Sequence, residues 1–302
     1  MNWYKVFALL LTLLQLTAIA GGQERIITDD LGYPHVLKNP PQRIVSLAPN
    51  ITEILFALGL EKKIVGVTRY CDYPQQAQKK ERIGGMVDPD LEKVISLQPD
   101  LVIAFRGNPL RLIRRLKELQ LSVFVLEQGT SLESVFSLIE KIGLITYKEK
   151  RAISLVDDLN TDYKRVLKLL TSVKHVPKVY INIHGKGLWT CGRDSFLNDL
   201  VKKAKGLNIA GEMPRSWLAY NLEEIIHQNP EYIIVITQSQ KDFAEIKEWF
   251  VQEAHLESTQ AVREENIHYL DEDLITRPGP RIFRAFEQLS RILHPTLFGN
   301  LR

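Results

Sequence analysis

Residues able to do covalent chemistry are present in this chain but are not arranged for it. There is no G-x-x-x-x-G-K-S/T, no H-E-x-x-H and no G-x-S-x-G, so phosphate-loop, zinc-protease and serine-hydrolase chemistry lack their usual frames. The stretch GKGLWTCG, residues 185–192, has a Gly-x-Gly but lacks the third glycine of a dinucleotide cradle, and it reads as a turn. Seven histidines are scattered along the chain with none at close metal-ligand spacing. Of these, His184 follows a strand and sits in a loop that could reach a ligand. The acidic run Asp271–Asp273 offers too few oxygens for a calcium or magnesium cage and reads as a solvated loop. No catalytic base, nucleophile or metal set emerges, so an exported enzyme is the weaker reading.

The aromatic residues are more informative. Tyr70 follows GVTR, Phe105 follows LVIA, Trp189 follows INIHGKG, and Trp217 with Tyr220 precedes a helix. Each lies just past an expected strand, where open α/β sheets bind their ligands. A broad, flat, largely apolar ligand suits such rings, and Arg106 and Arg277 could meet acids at its periphery.

A pair of carboxylates stands out for a different reason. LEKVISLQPDLVI begins at Leu91 and LEEIIHQNPEYII begins at Leu222, 131 positions later. Glu92 and Glu223 each open a helix, where the helix dipole favours a negative charge. That effect accounts for either residue alone but not for their equivalence. Two matched surface carboxylates, held apart by a rigid body, suit a partner with two-fold symmetry and basic sockets, such as a dimeric membrane protein.

The elements that position these residues alternate between short apolar strands and helices. Ile26–Ile27, a Gly32 turn and Val36–Leu37 predict a small hairpin. RIVSL, KIVGVT, LVIAF and SVFVLE predict strands, separated by NITEILFALGL, LEKVISL and LRLIRRLKELQ as helices. Asn50 with Glu53 fits a capping box, Gly59 fits a helix end, and SLESVFSLIEKIG opens like another Ser/Glu box. Thr146 to Val173 contains neither Gly nor Pro, with apolar residues at three-four spacing, and predicts one long helix. The pattern then restarts with KVYINI, DSFLNDLVKKAKGLNIAG, LEEIIHQNP and YIIVIT, followed by FAEIKEWFVQ, NIHYLD and a last helix from about Arg281 to Leu293. The expected architecture is α/β, with two Rossmann-like lobes joined by a long backbone helix. The expected boundaries are an N-terminal lobe over 24–145, a connecting helix over 146–174 and a C-terminal lobe over 175–302.

Composition sets the frame. With 45% apolar and 25% charged residues and a net charge of +3, the chain is globular and shows no basic block of the kind that binds nucleic acid. The N-terminus has a lysine, an apolar run and Ala18-Ile19-Ala20 before Gly21, which reads as a signal peptide over 1–20 and an exported, periplasmic protein. No cysteine marks the cleavage point, which argues against a lipid anchor. The two cysteines, Cys71 and Cys191, form no C-x-x-C pair.

Taken together, RIVSLAPNITEILFALGLEKKIVGVTRYCDYP, LEKVISLQPDLVIAFRG, LEEIIHQNPEYIIVIT and RPGPRI resemble the periplasmic binding proteins of ABC importers for cobalamin and iron complexes. The likeness covers nearly the whole mature chain, one binding domain over about 42–295. YCDYP and AFRG resemble the cobalamin branch, while the N-terminal hairpin is shared with siderophore and haem binders. The resemblance implies a class III fold and a monomer that moves little at its hinge. It implies cobalamin or a related corrinoid between the lobes, with ferric siderophore or haem as the alternative, and no cofactor of the protein's own. It also implies delivery to a permease dimer with its ATPase. By that resemblance Tyr70, Trp189 and Trp217 map onto the cleft aromatics, and Glu92 and Glu223 onto the docking glutamates. Met86 replaces a cleft tryptophan, a departure that a corrin face could accept. Cys71 and Cys191 fall on expected cleft loops, one per lobe, with Cys71 counted among the ligand contacts. A thiol–metal contact or a disulfide across the cleft are the options the resemblance leaves for them, beside free thiols.

Overall fold

The computed structural model describes residues 24–127, 129–183 and 185–299; the expected signal peptide and His184 lie outside them. The chain opens with the predicted hairpin, β1 (Arg25–Thr28) antiparallel to β2 (Pro34–Leu37). The buried Asp29 holds its turn, accepting from the backbone N–H groups of Leu31 and Tyr33.

The N-terminal lobe follows as β3 (Ile44–Ser46), α1 (Pro49–Ala57), β4 (Ile64–Val67), α2 (Leu91–Ser96), β5 (Leu101–Phe105), α3 (Leu110–Glu118), β6 (Val123–Leu126) and α4 (Leu132–Ile145). Its sheet is wholly parallel, in the order β4-β3-β5-β6. The strands are buried along almost their whole length, as a sheet covered by helices on both faces requires. Next comes α5 (Glu149–Leu170), 22 residues and so about 33 Å long.

The C-terminal lobe repeats the plan with β7 (Lys178–Asn182), β8 (Trp189–Cys191), α6 (Phe196–Lys203), β9 (Leu207–Asn208), β10 (Trp217–Ala219), α7 (Leu222–Gln228), β11 (Tyr232–Thr237), α8 (Gln240–Gln252), α9 (Gln260–Arg263), β12 (Ile267–Asp271), α10 (Glu272–Ile275) and α11 (Ile282–Leu293). Its parallel sheet runs β9-β7-β11-β12. Numbered within their own lobes, both sheets have the order 2-1-3-4, so the duplication read in one helix and strand extends to whole-lobe topology. The addition is the short antiparallel ribbon of β8 and β10.

Three local expectations change. The connecting helix is shorter than 146–174: Thr146 caps α4, and Tyr147 turns left-handed at φ 59° before α5 begins. Neither glycine nor proline marks that break, so the sequence hides it. Gly143 of α4 instead marks close packing, since a Cβ there would lie 2.4 Å from that of Ala152 in α5. The Asn50/Glu53 capping box does not form. Ala48 occupies the N-cap position, Asn50 donates to the Pro278 carbonyl and Glu53 pairs with Arg281. At α4, Ser131 accepts from the Ser134 N–H, but Glu133 turns away from the cap to bond Tyr163 and Lys203.

One apolar cluster runs through both lobes, taking in Ile51 and Ile54 of α1, Leu138 and Ile142 of α4, Val156 and Val166 of α5, Leu197 and Leu200 of α6, and Phe286 of α11. The connecting helix is therefore packed along its length against both halves.

Candidate functional site: a cleft between matched sheet edges

The two sheets present their carboxyl edges to each other, and polar bonds tie those edges together. Asn50, just after β3, reaches Pro278. Asp72, in the loop after β4, pairs with Arg277, which also holds Asp273 after β12. Arg281 grips Glu53 with two nitrogens, at 2.6 and 2.9 Å. On the other side Asp199 of α6 accepts from the Leu132 N–H, and Lys203 pairs with Glu133. Burial holds the Glu53 carboxyl above the usual glutamate range, although Arg281 pulls it the other way. The Asp72 carboxyl lies below its usual range: burial opposes this, but the Arg277 guanidinium outweighs it.

The N-terminal wall is built from loops after β4 and β5. Tyr70 is half exposed, with the Arg69 guanidinium 5.6 Å from its ring centre. Arg82 donates to the Thr68 and Cys71 carbonyls, at 2.9 and 2.8 Å, and keeps this loop against the lobe. Phe105 and Met86 are half-buried. Arg106 is exposed and pairs with Glu127 at 2.9 Å, a solvent-screened contact that leaves its guanidinium accessible.

Sequence reasoning missed Asn108, which organises this wall. Its side chain is buried, accepts from the Phe105 N–H at 2.9 Å, and donates to the carbonyls of Met86 at 2.8 Å and Leu47 at 3.2 Å. One amide thus ties together the end of β3, the Met86 loop and the end of β5. An asparagine after Arg-Gly reads as an ordinary turn residue, and nothing in its neighbours signals that it points inward.

The C-terminal wall carries the two tryptophans. In the β8/β10 ribbon Trp189 lies opposite Ala219, and Trp217 lies opposite Cys191. Alternation puts both indoles on one face as diagonal neighbours, within reach of each other's edges. They are 44% and 47% exposed, a large apolar area for a folded protein to leave in water. Trp217 also lines a hollow of about 250 Å³ with Ile183, Ile236, Glu272 and Thr276, at the carboxyl ends of β7, β11 and β12. Tyr220 is not part of this face: its hydroxyl donates to the Ile209 carbonyl, and its ring stacks on Tyr180 in the lobe core. A larger hollow of about 480 Å³ lies elsewhere, along α5, between Tyr73, Leu159 and Phe283.

Two expectations for ligand contact are corrected. Cys71 does not line the cleft; it is 1% exposed, with the Thr52 and Thr68 hydroxyls 3.2 and 3.1 Å from its sulfur. Cys191 is equally buried, beside Asn208, and both thiols are free. A disulfide or a thiol–metal contact across the cleft is therefore excluded by their burial in separate lobes. Arg277 is likewise spoken for, with 13% of its side chain exposed and its charge divided between Asp72 and Asp273, so it serves the seam between lobes. No cluster of three or more His, Cys, Asp or Glu side chains is placed to hold a metal ion among the described residues.

Glu92 and Glu223 are both exposed, one on each lobe. Their helices are built alike. Asp90 caps α2 and Asn221 caps α7, and Gln98 and Asn229 turn left-handed at φ 46° and 49° before their prolines. The acidic residue that follows each proline makes an equivalent bond. Asp100 accepts from the Arg43 N–H at the start of β3, and Glu231 from the Lys178 N–H at the start of β7. Arg43 and Lys178 then donate to the Leu97 and Gln228 carbonyls at the ends of α2 and α7.

Comparison with known proteins agrees with this architecture. Residues 44–274 match the family model described as periplasmic binding protein. A Bacillus subtilis protein named as the uncharacterized ABC transporter substrate-binding lipoprotein YvrC is 32% identical over 280 residues, spanning 90% of this chain and 87% of its own. The crystal structure of the periplasmic vitamin B12 binding protein BtuF of Vibrio cholerae is 26% identical, covers 85% of this chain and 98% of its own, and superposes with a TM-score of 0.75. The periplasmic heme-binding protein RhuT from Roseiflexus sp. RS-1, in apo form, shares the fold with a TM-score of 0.77 at 22% identity, over 85% of this chain and 99% of its own. Since the family match runs from the first strand of one sheet to the carboxyl edge of the other and takes in the joining helix, this chain belongs to the periplasmic binding protein family, in its two-lobed class III form.

Proposed function

We propose that the protein is the extracytoplasmic substrate-binding component of an ABC importer and carries cobalamin or a related corrinoid between its lobes. The observation that carries this reading is the pair of exposed indoles on one face of the β8/β10 ribbon, with the exposed Tyr70 at the matching edge of the other lobe. A corrin is broad and flat, with apolar faces and an amide-bearing rim, and aromatic faces at two edges suit it. Trp189, Trp217 and Tyr70 would stack on it, Phe105 and Met86 would pack beside it, and Arg106 would meet its polar rim. Glu92 and Glu223 would engage basic sockets on the permease dimer, whose ATPase drives release. Binding and handing over cargo asks for no chemical step.

Iron complexes are the second reading. The exposed phenol of Tyr70 is an oxygen donor at the cleft edge, which favours haem or a ferric siderophore. Isothermal titration of the mature protein with cyanocobalamin, haemin and a ferric siderophore separates the two. Saturable one-to-one binding of cyanocobalamin, weakened at least tenfold by Trp217→Ala, supports the corrinoid reading. Binding of haemin or siderophore without cobalamin replaces that cargo with iron, and turnover of any metal complex refutes the binding-protein reading.

A further inference from the structure

The two helices bearing Glu92 and Glu223 agree in burial as closely as in sequence. At nine successive positions, 91–99 and 222–230, exposed, half-buried and buried residues follow the same order. Each helix carries an apolar pair whose first member, Val94 or Ile225, is fully buried. The second member, Ile95 or Ile226, is 40% or 38% exposed. A single exposed isoleucine needs no explanation. Two of them at duplicated positions, each three residues after an exposed glutamate and so on its helix face, are a repeated feature of the surface. Among the described residues neither Glu92 nor Glu223 has an ion-pair partner, whereas their neighbours Lys93 and Glu224 are engaged with Glu81 and Gln228. The exposed face of each helix therefore offers one uncommitted carboxylate and one isoleucine.

We propose that Ile95 and Ile226 are the apolar half of the docking surface, and that the partner is a two-fold symmetric membrane protein whose two sockets each combine a basic group with an apolar hollow. The inference rests on the importer reading above. Exposed charges steer association and set register but add little affinity once solvent screens them. Affinity comes from a desolvated anchor at the centre of each contact, which the isoleucine supplies. The ion pairs and shared apolar cluster that join the lobes hold the two anchors in one arrangement, so both can seat together and reinforce each other.

The test measures binding of the mature protein to its importer's permease–ATPase complex in lipid nanodiscs, by surface resonance at 0.15 and 0.5 M salt. Ile95→Ser and Ile226→Ser should each weaken binding about fivefold, and the double variant about 25-fold, from the apolar area each still exposes. The loss should appear as faster dissociation with an unchanged salt dependence. Glu92→Ala with Glu223→Ala should instead flatten the salt dependence, and Ile95→Leu with Ile226→Leu should retain wild-type binding. Cyanocobalamin titration of every variant checks that the cleft is intact. If the serine variants bind within twofold of wild type while the glutamate variants are impaired, the apolar half is refuted and the docking reading stands. If neither set alters binding, or the wild-type protein does not bind the complex, the importer reading falls with it.

Discussion

Arg281→Met should be among the most damaging single substitutions outside the core. Glu53 has 3% of its side chain exposed, and both its oxygens are held by Arg281, at 2.6 and 2.9 Å. Removing the arginine leaves a desolvated carboxylate whose nearest remaining cation, Arg277, stands 3.9 Å away. Breaking a buried pair from one side costs about 3–5 kcal/mol, and the residual help from Arg277 puts the expectation at about 3 kcal/mol. With a urea slope of about 3 kcal/mol/M for a chain of this size, the midpoint should fall by about 1 M. The double variant Glu53→Met with Arg281→Met should recover most of that, since the charge that needed a partner is gone as well. The pH dependence supplies a second signature. Burial already holds Glu53 above its usual range, and losing Arg281 raises it further. A carboxyl whose folded pKa is raised contributes stability below its unfolded value and loses it as pH rises through the folded one. The penalty of Arg281→Met should therefore be smaller at pH 5 than at pH 8. Urea unfolding followed by circular dichroism at both pH values measures all three quantities. A midpoint shift below about 0.3 M, or a double variant no better than the single one, would refute the view that this seam is a buried, mutually dependent pair.

Asp29, by contrast, lies below the usual aspartate range: burial pushes it up, but the Tyr33 N–H, His35 and Lys117 outweigh that. It should support the fold above about pH 4 and lose that support as acid protonates it, so Asp29→Asn should flatten the acid limb of the stability curve measured by thermal melting. Asn108→Ala strands the Phe105 N–H and frees the Met86 carbonyl, and should cost about 1–3 kcal/mol in urea unfolding while weakening cargo binding in titration. Both cysteines should resist a thiol reagent in the native protein and react fully in urea, because burial raises the Cys71 thiol and pushes Cys191 up to about 12. Rapid native labelling of either would overturn their placement.

The sequence alone determined most of the layout of the elements, though not the break between α4 and α5 or the β8/β10 ribbon. Strands, helices and the left-handed turns before Pro99 and Pro230 follow from apolar period, proline and local hydrogen bonding, all of which act within a few residues. The duplication of Glu92 and Glu223 was legible for the same reason, since a repeated local device leaves a repeated string. Tertiary structure decided whatever depends on a partner far along the chain. Asn50 and Glu53 read as a capping box because their spacing permits one, yet their partners Pro278 and Arg281 lie about 228 positions away. Arg277 looked free for a ligand until the folded lobes brought Asp72 and Asp273 to it. Cys71 and Trp217 both sit in or near expected cleft loops, and only packing could sort them, sealing the thiol beneath Thr52 and leaving the indole half exposed. The physical reason is common to these cases: local propensity is set by neighbours in sequence, whereas burial and charge pairing are set by neighbours in space.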